Sequence, residues 1–230
     1  MRRAILLTLL LGAGCFPRAS VPQAERQRAS RELEGQRRLS KVAVFVGLFF
    51  GDTSRLLVSD QPFRELDLLE TTDGKVIAPP DAERVLPPGT ALRIEKVEFP
   101  TGWIIAQRFI MTPRYHPWVL LALEGEPRPL VFVLPQTLAS SEEVRVELER
   151  LLGTSDPTPV FQALPDAQRA AVAKKELVEG LSTQSVEMAW GYPEKKVIDR
   201  PGGREEWTWP TGKRKASFRD GKLASWEEAR

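Results

Sequence analysis

Apolar and polar positions along this chain change their period several times, and the changes divide it into parts. Residues 4–11 form an apolar run, interrupted only by Thr8, behind Met1-Arg2-Arg3. From Arg18 to Lys41 large apolar residues are few (Val21, Leu33, Leu39), too sparse to give a helix an apolar face, so residues 15–40 read as a basic tether, either solvated or drawn by its excess of positive charge to anionic headgroups. From Lys41 to Gln136 the period falls to about two, as short strands split by turn residues require. Lys41–Phe50 is the most apolar of these runs and reads as a central strand closed by Gly51-Asp52-Thr53-Ser54. Further strands are expected at Lys75–Ala78, Thr90–Phe99, Trp103–Thr112, Pro117–Glu124 and Pro129–Leu134, with Asp73-Gly74, Pro79-Pro80 and Pro87-Pro88-Gly89 as punctuation. The period then lengthens. Ser140 and Glu143 form a capping box, Val144, Leu148, Leu151 and Leu152 make one stripe, and Gly153 ends a helix.

Residues 154–165 hold Pro157, Pro159 and Pro165 and read as a linker between a β-rich unit, 41–153, and a C-terminal unit, 166–230. In the second unit a helix is expected over Asp166–Glu179, stopped by Gly180. A second helix follows with Ser182 as its N-cap, Leu181 and Val186 at the staple positions, and Gly191 with Pro193 as its end. The remainder alternates. Glu205-Glu-Trp207-Thr-Trp209 and Lys213–Arg219 are strands, and Asp220-Gly221 is a tight turn into Lys222–Trp226. Trp207 and Trp209 share one strand face, which is either buried against the helix carrying Trp190 or presented as an aromatic strip to a partner.

Two resemblances sharpen this outline. Leu86-Pro-Pro-Gly-Thr-Ala-Leu-Arg-Ile resembles the strand entry of bacterial SH3-like barrels. The positions Gly180, Ser182, Val186, Gly191, Pro193, Trp207, Trp209, Phe218 and Gly221, with Leu223, resemble the SmpA/OmlA (BamE-like) pattern of small outer-membrane lipoproteins over about residues 176–230. The fold class implied is α+β: a small antiparallel β-barrel, SH3-like, followed by a helix-helix-antiparallel-sheet unit. The motif positions are caps, a helix stop, a turn glycine and core aromatics, so the resemblance implies a fold and carries no catalytic residue.

Charge and the N-terminus then place the protein. A basic start, an apolar core of eight residues and Gly12-Ala13-Gly14 before Cys15 make an export signal over residues 1–14. Eight residues span about 12 Å as a helix, far short of the ~30 Å hydrocarbon layer. Leu11-Gly-Ala-Gly-Cys15 resembles a lipobox, which implies that Cys15, the single cysteine, becomes the diacylated lipid anchor. The alternative is ordinary signal-peptidase cleavage with Gly12 and Gly14 as its small residues. Phe16 after the cysteine, where an Asp would favour inner-membrane retention, implies the outer membrane. Without Arg2 and Arg3, the basic residues (33 in all) equal the 31 acidic ones, so the mature chain is neutral and lacks the excess that nucleic-acid binding needs. With one cysteine, a disulfide framework is excluded.

Candidate chemistry is sparse. His116 is the single histidine, and no metal site or Ser-His-Asp arrangement assembles around it; beside Tyr115, Pro117 and Trp118 it reads as a half-buried ring at a strand entry. Asp52-Thr53 lacks the glycine and the second copy of an aspartic-protease motif. Glu142-Glu143, Glu205-Glu206 and Glu227-Glu228 are sequence neighbours and so diverge in direction. No catalytic residue, cofactor or metal site is expected. The reading is a non-enzymatic, lipid-anchored envelope protein facing the periplasm, whose partners are envelope proteins and the membrane reached through its lipid. A peptidoglycan-binding module and an inhibitor-like binding protein are the alternatives.

Overall fold

The apolar runs at β-strand positions 44–49, 56–59, 118–123 and 130–133 lack a polar face because the middle of the sheet that they build is covered on both sides. In the computed structural model, which describes residues 21–229, the chain runs Gln23–Leu33 (α1), Arg37–Ser40 (β1), Val44–Phe49 (β2), Asp52–Ser59 (β3), Arg84–Leu86 (β4), Ala91–Glu98 (β5), Gly102–Gln107 (α2), Trp118–Leu123 (β6), Leu130–Val133 (β7), Ser141–Leu151 (α3) and Leu152–Gly153 (β8). Thr158–Gln162 (α4), Asp166–Ala173 (α5), Thr183–Trp190 (α6), Lys195–Asp199 (β9), Arg204–Thr208 (β10), Arg214–Arg219 (β11) and Lys222–Glu228 (β12) complete it. The expected signal and Cys15 lie outside the described residues.

The class is α+β, and the expected barrel does not form. Eight strands make one open sheet in the order β4-β2-β3-β7-β6-β5-β1-β8, ending on the three residues of β4 and the two of β8. It is mixed, because β3 and β7 pair in parallel through Leu56↔Leu130, Leu57↔Val131 and Val58↔Phe132. Alternate residues on each strand explain the covered faces. Leu56, Val58, Val119, Leu121, Leu130 and Phe132 pack toward α1 and α3. Leu57, Trp118 and Val131 face the other way, into a cluster with Phe49 of β2 and with Phe63 and Leu66 from the connection after β3. That connection lies close on the sheet: a Cβ at Gly47 would stand 2.9 Å from the Phe63 ring and 3.0 Å from the Ala82 backbone.

Four local expectations are corrected. The stretch read as a tether carries, from residue 23, the helix α1 and the strand β1, and β1 pairs with both β5 and β8. Val21, Ala29 and Leu33 are buried in the main core, and Ala29 is the member of that stripe that a count of large apolar positions overlooks. The Glu25 carboxylate closes the contact, accepting the backbone N–H (2.9 Å) and hydroxyl (2.6 Å) of Ser141 at the start of α3. The turn expected at 51–54 falls at Phe50-Gly51, and Asp52 begins β3, its carboxylate accepting from Ser54 and Arg55. Lys75–Ala78 contributes one bridge, Glu70↔Val76, in place of a strand. The strand expected at 103–112 is instead α2 and a loop, because the Thr101 hydroxyl accepts the N–H of Ile104 and caps a helix.

In the C-terminal part, β12-β11-β10-β9 form an antiparallel sheet, with α5 and α6 ahead of it in the chain. Its core is separate from the first and holds Phe161 of α4, inside the expected linker, with Val172, Leu181, Val186, Trp190, Trp207, Trp209, Phe218 and Leu223. The helix expected to reach Glu179 stops at Ala173. Lys175 N–H bonds Val172 O and Glu176 N–H bonds Ala171 O, a Schellman closure with Lys175 at φ 61°, where glycine is usual.

Leu33 is 2% exposed and its helix docks on the main core. Leu33→Ala is expected to lower stability by about 3 kcal/mol in chemical denaturation, whereas a tether residue would leave it unchanged.

Candidate functional site

The two cores meet across a junction made largely of buried polar groups. Arg214, on β11, and Glu65, in the 3₁₀ turn Phe63–Glu65 of the first unit, are fully buried and pair at 3.2 Å. Arg214 also donates to Trp190 O at 3.3 Å and lies between the rings of Trp190 and Trp209, 5.4 and 5.9 Å from their centroids. Burial pulls its pKa down, while Glu65, Asp60 and Glu228 push it back. Glu65 Oε1 and Arg214 Nη2 have no hydrogen-bond partner among the described residues. An exposed pair, Arg64 with Glu228 at 2.6 Å, joins the same 3₁₀ turn to β12 at the rim.

The second buried cation is Lys175. Its Nζ donates to Ala43 O in the first unit and to Ala189 O in α6, both at 2.7 Å, and its own carbonyl accepts from Trp190 Nε1. Ala43 N–H completes the seam by bonding Met188 O. These bonds account for the left-handed backbone at Lys175, a conformation that costs about 1 kcal/mol in a non-glycine residue. Burial drives the ammonium down to about 7, with Asp60 opposing and Arg214 reinforcing the fall. A neutral amine still has two N–H groups for its two carbonyls. Gly191, which ends α6 at φ +79°, lets Asp60 approach: a Cβ there would stand 2.6 Å from its carboxylate.

Beside Asp60 opens a cleft of ≈ 300 Å³, lined by Ser59, Asp67, His116, Gln136, Glu147 and Arg150 among others. The His116 ring is tied by Nδ1 to Leu134 O at 2.9 Å; burial lowers its pKa, the Leu134 bond opposes that, and Arg108 adds to it. Among the described residues no three His, Cys, Asp or Glu side chains gather to hold a metal.

The motif residues read from the sequence come together. Ser182 Oγ accepts Ser185 N–H, Gly180 N–H bonds Leu223 O, and Asp220-Gly221 turns β11 into β12 with both residues at positive φ. Trp207 lies 4.5 Å from Phe218, and Trp190 meets Trp209 edge to face at 5.1 Å. Both strand tryptophans are buried, so they are core and not a partner strip. Glu205 accepts from Trp207 Nε1 while Glu206 lines the opposite face, as alternation requires. What the sequence reading missed is the surface. β9 is an edge strand exposed at every residue, with Val197 and Ile198 each 52% exposed, and the loop after β5 carries a run of exposed apolar side chains.

Comparison with family models, with curated proteins and with solved structures gives no match to this chain.

Two outcomes are expected from the junction. Arg214→Met alone leaves Glu65 buried and unpaired and is expected to cost about 3–5 kcal/mol, whereas Arg214→Met with Glu65→Leu is expected to recover most of the loss in urea denaturation. Lys175 binds a proton in the unfolded chain up to its ordinary 10.5 but in the folded chain only up to about 7. Between those values the unfolded state holds the extra proton, so stability rises with pH, at about 1.4 kcal/mol per unit. Lys175→Met is expected to lower stability above about pH 10, where the neutral amine still holds its two carbonyls, and to remove that slope.

Proposed function

We propose that this chain is a lipid-anchored protein of the bacterial envelope, held at the outer membrane by Cys15 and facing the periplasm, with an accessory or scaffolding role exercised through protein contact. Its C-terminal unit is read as SmpA/OmlA-like, which the placement of Gly180 to Leu223 as caps, turn and core supports. The observation that carries the contact role is β9. An edge strand leaves one row of N–H and C=O groups unpaired, and natural proteins usually shield such edges. Here Lys195-Lys-Val-Ile-Asp199 is exposed throughout; its two lysines are the usual charged guard of an edge, with Lys196 turned to Glu187 and Trp207, and beside them it offers two large apolar side chains for strand addition by a partner.

Two measurements test the reading. Intact mass of the membrane-extracted protein is expected to begin at Cys15 and to carry acyl chains; a cleaved, unacylated product would remove the anchor. Co-purification from solubilised envelopes is expected to bring down outer-membrane proteins, and Val197→Asp with Ile198→Asp is expected to release them without unfolding the protein. Isolation free of any envelope protein would sink the contact role.

A further inference from the structure

The exposed apolar side chains of the described residues are concentrated after β5. Trp103 is 73% and Ile110 69% exposed, and Phe109, Met111 and Tyr115 are each more than two-fifths exposed. So large a run on the surface calls for a partner phase. The loop is not loose. Phe99 and Ile105 are buried beneath it, and Arg108 pins both of its arms. The Arg108 guanidinium stacks 3.6 Å from the Trp118 ring centroid and donates to Arg114 O, His116 O and Glu98 O. Thr112 closes the turn on Phe109 O, and Trp118 Nε1 donates to Pro113 O. With Trp118 and Arg108 filling the space below and the Phe109 ring laid against Gly51, Trp103 and Ile110 are left projecting outward.

Charge and chain position identify the phase. Residues 99–123 contain neither Asp nor Glu, in a chain with 31 of them, while Arg114 and Tyr115 stand at the side of the tip. A groove of ≈ 520 Å³ joins this region to α1: Phe99, Thr101 and Ile104 on one wall, Arg26 and Arg31 on the other. The described chain starts at the same place, at Val21, just before α1. Cys15 is six residues earlier, so its reach is at most about 20 Å. An acidic protein partner would account for the basic rim but not for the aliphatic tip, whereas an anionic bilayer accounts for both: aromatic and aliphatic groups enter the interface and arginines meet headgroups.

We infer that the tip Trp103, Phe109, Ile110 and Met111, with Arg26, Arg31 and Arg114, is a docking surface for an anionic lipid bilayer, holding the first unit against the membrane. The inference deepens the envelope reading, and its test dispenses with the anchor. In the full chain with Cys15→Ser, which cannot be acylated, Ile110→Cys or Val197→Cys supplies a single thiol for an environment-sensitive fluorophore. With vesicles of phosphatidylcholine and phosphatidylglycerol, the label at 110 is expected to brighten and shift to the blue while the label at 197 stays water-like. Because the apolar segment 4–11 is common to both proteins, the label at 197 controls for it. Trp103→Ser with Ile110→Ser, in the unlabelled protein, is expected to lower vesicle partitioning by at least ~10-fold, equivalent to about 1.4 kcal/mol. A water-like label at 110, an equal response at 197, or a response to solubilised envelope proteins but not to vesicles would overturn the inference. A protein that docks here yet shows no acyl chain by mass would instead refute the anchor alone.

Discussion

The buried contact of Arg214 with Glu65, and the Lys175 ammonium beside it, is the constraint on which the arrangement of the two units depends. Apart from Tyr192, which packs against the first unit's core, the core residues of the two units form separate clusters. The other contacts that fix the seam are polar and directional: Arg214 to Glu65, Lys175 to Ala43 O, Ala43 N–H to Met188 O. Non-directional burial tolerates sliding, whereas a buried charge must keep its partner within hydrogen-bond distance or suffer a large desolvation penalty. The seam therefore fixes an angle as well as a contact. Three local oddities are explained by it. Lys175 accepts a left-handed backbone so that its ammonium lies between two carbonyls, α5 stops six residues early to place it there, and Gly191 lacks the Cβ that would strike Asp60.

Much of the fold was legible wherever the signal is local. Ser140 and Ser182 are the caps read from the sequence, β2, β5, β6 and β7 lie within the runs read as strands, and Asp220-Gly221 turns as its residue types demand. The errors have one physical root, which is that the deciding interaction lies far away in sequence. α1 has too narrow an apolar stripe to stand alone; it is held by Glu25 reaching Ser141, a bond across more than a hundred residues. The open, mixed sheet was not deducible because β3 and β7, buried on both faces, carry no period that could tell parallel from antiparallel pairing. Trp103–Thr112 has the composition of a strand, and one hydroxyl, on Thr101, was enough to start a helix instead.

Legibility of the candidate site divides along the same line. The motif aromatics were identified as a group, and the alternative between core and strip was settled by Trp190, whose ring meets Trp209 edge to face. The exposed apolar side chains escaped notice because an outward-facing Phe109-Ile110-Met111 run is indistinguishable from a buried strand until something is seen to occupy the space beneath it. That occupant is Arg108, a charged residue whose burial would not be guessed from its neighbours.

Arg108 and Arg214 show the same device used for opposite ends. Each places a guanidinium against tryptophan, with carbonyl acceptors and a carboxylate, in a position where an aliphatic side chain would pack without desolvation cost. An aliphatic residue, however, would leave the surrounding carbonyls unpaired and free to shift. At Arg214 the planar donors lock two units to each other. At Arg108 they lock a loop so that its apolar side chains remain outside. On the proposed membrane-docked reading, orientation calls for both a rigid body and a rigid projection from it, and the two buried guanidiniums supply one each at a cost in desolvation.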